Sequence, residues 1–380
     1  MLSRCHLWTA GLLAAAAVAT LAPAATAADA RKDAKSTGPK VEVVFCLDTT
    51  GSMKGLLDRA KEKIWSISNQ IANGKPTPEL KIGLVAYRDR GDDYVTRVFE
   101  LTDDLDAIHA QLKTFQAAGG GDIPESVNEA LDVAVNKIKW SSDDDTLRIL
   151  FLVGDAPPHM DYKDDVKYAD TCKKACEKGI IINTIQCGED AKCAEFWQDI
   201  CRKAEGSYVK ISQDGGTRTV VATPFDKDLA EINSKLAGST VVFGDGKAQA
   251  KGKEQADEAR KLAPAAAADR AGFNAKQNRN AAYDLVDAVK NGKVELEKLK
   301  KEELPEELRD KSPKEIKEHL DKIEAERAEL RKKALELDKR RSEFINKQLA
   351  EDQKKSAFDG QVLDILRKQG KKVKIDFETK

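Results

Sequence analysis

Asp48, Thr50 and Ser52 alternate along Asp48-Thr49-Thr50-Gly51-Ser52, directly after the apolar run Val41–Leu47. A carboxylate and two hydroxyls on one short loop are hard oxygen donors, suited to Mg2+, Mn2+ or Ca2+. Alone the pattern is weak, because Asp, Thr and Ser also cap ordinary helices. Two further loops add to it. Asp155 follows a second apolar run, Leu147–Val153, and Asp122 follows the glycine run Gly119-Gly120-Gly121. In an open α/β sheet, ligands collect beyond the carboxyl ends of the strands, where strand order reverses. Three loops delivering oxygens to one such edge point to a divalent-cation site made of Asp48, Thr50, Ser52, Asp122 and Asp155.

The elements that would position these residues are legible. The two apolar runs are short and nearly continuous, the mark of strands buried on both faces of a parallel sheet. After Ser52 a helical stripe (Leu57, Ala60, Ile64, Ile67, Ile71) closes at Asn73-Gly74. Segments 80–87 and 94–101 read as an antiparallel pair joined through Asp89-Arg90-Gly91-Asp92. A helix with Leu105, Ile108, Leu112 and Phe115 inward follows. Another opens at Pro124, with Val127, Ala130, Leu131, Ala134 and Ile138 inward. Beyond Asp155 come a helix at 163–178, a strand at 180–186, a helix at 191–204 and a strand at 207–211. The expected fold is therefore α/β, a doubly wound, mostly parallel sheet with one antiparallel edge strand, followed by a charged helical region.

Of the 380 residues, Lys and Arg number 64 and Asp and Glu 65, a net charge of -1 that gives no global attraction to nucleic acid or to an acidic membrane. Residues 1–27 read as a secretory signal: Arg4 and His6, an apolar run Leu7–Leu21 shorter than the ~20 residues a spanning helix needs, then Ala25-Thr26-Ala27. The mature chain is thus expected to be secreted or held in a periplasm or cell envelope, with no membrane span. In such a compartment Cys46, Cys172, Cys176, Cys187, Cys193 and Cys201 suggest disulfides. At least one is expected among the last five, pairing Cys187 with Cys193, or Cys172 or Cys176 with Cys201. The alternative is zinc, although no pair has CxxC spacing. Cys46 reads as a buried thiol.

Further divisions follow from composition. Residues 28–40 are polar and expected to be disordered. The α/β unit with a short extension spans 41–243, and 244–275, rich in Ala, Gly and Lys, reads as a linker. Residues 276–380 are charged and helical. Ser312-Pro313-Lys314-Glu315 is a strong helix start. Ile316, Leu320, Ile323, Leu330, Ala334, Leu337 and Phe344 follow 4–3 spacing, with Arg327 and Arg341 interrupting the seam. The pattern fits a coiled coil, a helical hairpin, or a helix lying on the sheet domain. Burying an unpaired charge is costly. The two arginines therefore favour packing within the chain, against segment 280–308, over a parallel dimer.

Taken together, Asp48, Thr50 and Ser52 with the strings DTTGSM, AYRDRGDDY, GGGDIPES and GDAPPH resemble the von Willebrand factor A (vWA) family and its metal-ion-dependent adhesion site. The resemblance covers about 170 residues and is similar to a branch with hemicentin- and alpha-kinase-type members. Segment 223–244 resembles an extension of exported bacterial members. The resemblance assigns Asp48, Thr50 and Ser52 to the family's Asp-x-Ser/Thr-x-Ser motif and Asp155 to its second aspartate. Where many members supply a threonine from the third loop, this chain has Gly121-Asp122. Asp122 or Glu125 fills that role, or Asp122 merely caps a helix. The family's metal keeps one position open for an acidic group of a partner, and a third carboxylate would weaken that attraction.

The resemblance implies a binding module for a protein partner. The competing reading is an assembly protein acting through its helical tail, with a metal that only stabilises the fold. Catalysis has little support, since no HExxH, no Ser-His-Asp order and no phosphate loop with its lysine appears. His159, after Pro157-Pro158, could line the partner site. Arg90-Gly91-Asp92 spells an integrin-recognised tripeptide, but in a turn where Gly and Asp are expected anyway.

Overall fold

The computed structural model describes residues 38–121, 123–214, 221–351 and 358–377. The proposed signal and most of the polar segment after it lie outside them, as does Asp122.

Six strands form one sheet: β1 (Lys40–Asp48), β2 (Glu79–Tyr87), β3 (Thr96–Thr102), β4 (Thr146–Gly154), β5 (Ile180–Cys187) and β6 (Tyr208–Ile211), in the order β3-β2-β1-β4-β5-β6. All neighbours pair parallel except β2 and β3. The sheet is thus mostly parallel with one antiparallel edge strand, as the sequence predicts. Strand order reverses between β1 and β4, whose ends carry Asp48 and Gly154-Asp155. Side chains alternate between the faces. Val41, Val43, Phe45 and Leu47 of β1 pack under α1 (Lys54–Ile71) and α2 (Leu105–Thr114). Val44 and Cys46 face α3 (Val127–Asn136), α4 (Tyr168–Glu177) and α5 (Ala191–Lys203).

Two helices start later than the sequence predicts. Pro124 does not open α3, because the segment before it is tied to the loop after β4: Glu125 N donates to Pro157 O and His159 N to Glu125 O, at 3.0 and 3.1 Å. The helix predicted from 163 begins at Tyr168, because Arg90 and Lys167 hold the loop before it through Asp164, Asp165 and the Tyr162 carbonyl.

The stretch 244–275 is not a linker. It folds as α7 (Gly246–Arg260) and α8 (Pro264–Lys276), packed with α6 (Asp226–Gly238). Its small residues are contact surfaces: Gly252, Ala256, Ala259, Ala267, Ala268, Ala271 and Gly272 are buried. A Cβ on Gly272 would stand 2.3 Å from Asp338 Oδ1. Short side chains let helix backbones approach closely, and the same composition reads in sequence as flexibility.

Behind α8 lie α9 (Leu285–Lys290), α10 (Pro313–Glu351) and α11 (Phe358–Gly370). Ser312 and Glu315 form the expected reciprocal cap. The seam of α10 is covered from within the chain. Ile316 and Leu320 pack with Leu285, Leu296, Leu304 and Leu308, while Ala334 and Leu337 pack with Leu229, Leu236 and Ala268. Arg327 donates to both Asp284 carboxylate oxygens at 2.6 and 3.1 Å, and Arg341 reaches Asp226 and Asp269 at 2.6 and 2.7 Å. The C-terminal α11 then returns to the sheet, where Val362, Ile365 and Leu366 join the core beneath α1 and Gln369 exchanges hydrogen bonds with Asn183 of β5.

The expected disulfides are absent among the described residues, where all six cysteines are free thiols. Cys187 packs with the core on one face of the sheet and Cys193 with that on the other. Across α4 and α5 the thiols turn to backbone carbonyls instead: Cys172 to Ile200, Cys176 to Lys203 and Cys201 to Gln198.

Candidate metal centre

Asp48 ends β1 with no exposed surface. Its Oδ1 accepts from Thr50 N at 2.8 Å and Thr50 Oγ1 at 2.7 Å, and Thr50 Oγ1 lies 3.3 Å from Ser52 Oγ. The motif thus folds into one oxygen-lined turn. Asp48 Oδ2 is buried and makes no hydrogen bond. Burial, then the negative charge of Asp155, pushes the Asp48 carboxyl up to about 7. Asp155 is half-buried and accepts from Gln213 Nε2 at 2.6 Å.

The third loop supplies Glu125. It is 4% exposed, and its Oε2 is also buried without a partner. Burial pushes its carboxyl up to about 9, helped by Asp48, Asp89, Asp155 and Asp92, which are all acids. Two glycines give these carboxylates room. A Cβ on Gly120, which has φ +75°, would stand 2.9 Å from both Glu125 Oε1 and Thr50 Cβ. One on Gly154 would stand 2.4 Å from the Tyr87 hydroxyl and 3.1 Å from Asp48 Oδ2.

An unpartnered buried acceptor costs about 1–3 kcal/mol, more when charged. Two such oxygens from separate loops, with acids as neighbours, suit a hard cation. Among the described residues no three His, Cys, Asp or Glu side chains close on one point by themselves. The donor set is therefore mixed, with the Thr50 and Ser52 hydroxyls beside the carboxylates. Asp48, Thr50, Ser52 and Asp155 are brought to the same edge as Glu125, the alternative third-loop residue of the sequence analysis. Asp122 falls outside the described residues.

A neighbouring network was not singled out by sequence. Asp89, 3% exposed, accepts from Ser126 Oγ at 2.7 Å and from Tyr162 OH at 3.1 Å. His159 is buried rather than surface-lying. Its Nε2 is 3.3 Å from Asp89 Oδ2, its Nδ1 2.8 Å from Asp161 Oδ1, and its ring stacks on Tyr162 at 4.0 Å. Ser126 bonds the carboxylate and not the imidazole, so the three do not form a nucleophilic relay. The available signal was positional: Asp89 follows the end of β2, on the same edge as Asp48. The Arg90-Gly91-Asp92 turn keeps surface in solvent, but its charged side chains are engaged within the chain. Arg90 lies over the Tyr162 ring at 4.1 Å and pairs with Asp164 and Asp165, while Asp92 accepts from the backbone of Asp89 and Gly120.

Comparison with curated proteins finds no match to the chain. A family model described as "von Willebrand factor A domain" matches residues 42–223. Solved structures similar to the chain include the SpRpn10 VWA domain (16% identity, TM-score 0.36, covering 46% of this chain and 89% of that one). An aerotolerance-related membrane protein from Bacteroides fragilis is similar at 14% identity and TM-score 0.31, covering 47% and 93%. Proximal thread matrix protein 1 from the mussel byssus, with a zinc-occupied MIDAS motif, is similar at 16% identity and TM-score 0.36, covering 47% and 43%. With the strand order, the crossover at β1 and β4 and the Asp48-x-Thr50-x-Ser52 turn, the family match shows that this chain carries a von Willebrand factor A domain over residues 42–223.

Proposed function

We propose that the vWA domain is an exported binding module whose strand-end edge holds a divalent cation, Mg2+ by preference, and docks a protein partner there. Asp48, Thr50, Ser52, Glu125 and Asp155 would hold the cation, with Asp122 a candidate for the same loop. When bound, the cation supplies positive charge beside these carboxylates. The observation that carries this reading is the pair of buried, unpartnered oxygens, Asp48 Oδ2 and Glu125 Oε2. Small, multiply charged Mg2+ prefers oxygen ligands and keeps some waters, which suits a mixed hydroxyl and carboxylate set.

The competing reading, in which the helical tail makes the functional contact, is less favoured by the packing. The apolar seam of α10 is spent inside the chain on α6, α8, α9 and the 296–308 segment. Binding rather than catalysis is proposed because the Ser126, Asp89 and His159 geometry leaves no activated hydroxyl. Among the described residues no helix is long and apolar enough to cross a membrane. The extracytoplasmic setting rests on the reading of residues 1–27.

Thermal melting of the full chain in Mg2+, Mn2+ and Ca2+ tests the centre. The wild type should gain stability from at least one ion, by about 2.7 kcal/mol at a hundredfold excess over Kd. Asp48→Ala should fold and lose that gain. A wild type indifferent to all three ions removes the cation from the proposal.

A further inference from the structure

Charge on the strand-end edge is out of proportion to the chain. The whole sequence is nearly balanced, at 65 Asp and Glu against 64 Lys and Arg. The described residues of loops 48–54, 88–95, 116–126, 154–167, 187–190 and 212–214 hold twelve Asp and Glu against five Lys and Arg. Part of this excess faces solvent: the side chains of Asp93, Asp161, Asp164 and Glu189 are 82%, 71%, 73% and 81% exposed. Their partners are Arg88 at 3.5 Å, His159, Arg90 and Lys210. Exposed pairs of this kind contribute little and leave the field of the excess carboxylates in place. Beneath them lie the carboxyls of Asp48, Glu125 and Asp155, with Asp48 Oδ2 and Glu125 Oε2 buried and unpartnered. An acidic group approaching this edge meets its own sign.

The same edge carries exposed apolar side chains. Ile123 is 73% exposed and Met160 44% exposed. Their segments run side by side, joined by the parallel bridge of Glu125 to Pro158 and by Asn128 Nδ2 against Met160 Sδ at 3.8 Å. Isolated exposed apolar residues are ordinary, but two on bridged segments of one acidic edge offer an apolar contact on the same edge as its carboxylates.

We infer that this edge takes a basic polypeptide segment, with Lys or Arg side chains on the carboxylate rim and an apolar side chain on Ile123 and Met160. An acidic residue bridged through the cation does not fit it. The inference rests on the binding-module reading but does not need the cation to be the bridge. It differs from the partner that the family resemblance implies.

The test uses the full chain and two labelled peptides of equal length, one alternating Lys and Leu, one alternating Glu and Leu. Each is titrated by fluorescence anisotropy in Mg2+ and in chelator, at several salt concentrations. The Lys-Leu peptide should bind and the Glu-Leu peptide should not, in either condition. Ile123→Ser with Met160→Ser, which alters no charge, should weaken binding about tenfold. Asp93→Asn with Asp164→Asn should weaken it at low salt and flatten its salt dependence. Binding of the Glu-Leu peptide in Mg2+ alone overturns the inference. So does a Lys-Leu affinity unchanged by the Ile123 and Met160 substitutions, since that would be unspecific counterion attraction. Failure of the cation reading appears separately, as a missing Mg2+ shift in melting, and leaves these peptide comparisons intact.

Discussion

Replacing Glu125 by Gln should stabilise the metal-free protein and destabilise the protein in Mg2+ relative to wild type. The substitution keeps the side chain's shape and removes its charge. In the fold, burial and the surrounding acids move the Glu125 carboxyl from its ordinary 4.5 to about 9. The folded state therefore holds the proton more tightly than the unfolded chain does. Stability from this group is complete below 4.5 and is lost as pH rises toward about 9. At about pH 7 the loss is about 3 kcal/mol, from 1.36 kcal/mol per pKa unit. At ~2.1 cal/mol/K of unfolding entropy per residue, a cooperative unit of this size shifts about 1–2 °C per kcal/mol, so the variant should melt about 5 °C higher in chelator. The difference should close at about pH 4 to 5. Mg2+ turns the comparison round, because the wild type keeps a ligand that the variant has lost. Melting both proteins in chelator and in Mg2+, at acid and neutral pH, reads all four corners. A variant less stable than wild type in chelator at neutral pH would refute the electrostatic account of Glu125. Equal gains in Mg2+ would refute its role as a ligand.

Other substitutions test the architecture. Gly154→Ala should cost about 1–3 kcal/mol, because its methyl meets the buried Tyr87 hydroxyl, and adding Tyr87→Phe should recover part of that in urea titrations. Arg327→Met leaves Asp284 buried without its guanidinium and should cost about 3–5 kcal/mol, with Asp284→Asn in the same chain recovering part of it. A cost below about 1 kcal/mol would mean that the two do not meet in solution. Alkylation of the native protein followed by mass spectrometry should label Cys176, the exposed thiol, well before Cys46, Cys172, Cys187, Cys193 and Cys201. An intrachain disulfide between Cys176 and Cys201 would contradict the packing of α4 on α5.

The α/β core was readable because continuous apolar runs bounded by Asp and Gly leave few alternatives to a covered parallel sheet. Asp48, Thr50, Ser52 and Asp155 were readable for a related reason: ends of adjacent parallel strands meet in space whatever lies between them. Glu125 was harder to place. Its position depends on a backbone bridge to Pro158 that delays α3 by three residues, and no periodicity announces a bridge. Burial of His159 was equally hidden, since a loop histidine looks the same in sequence whether or not a tyrosine covers it. Asn183 is a further case. An amide in the middle of the apolar strand β5 is costly unless partnered, and its partners are Ser207 N and the distant Gln369, near the C-terminal end of the chain.

The same physics explains why α10 stays with the vWA domain. A 4–3 apolar seam can be covered by another copy of itself or by any matching surface, so the apolar residues alone do not choose. The interrupting arginines do. In a symmetric parallel pair Arg327 would face Arg327, two like charges in an apolar seam. Within the chain it enters a site with no solvent exposure on either partner, meeting Asp284 while Asp284 also accepts from Val241 N and caps α9. Arg341 likewise meets Asp226 and Asp269, on α6 and α8. Such buried pairs add little net stability over apolar residues of the same shape. Their effect is to penalise every arrangement in which one partner is missing. The carboxylates come from three different segments: the first turn of α6, the middle of α8 and the cap of α9. Only the helix carrying both arginines, in one register, satisfies all of them.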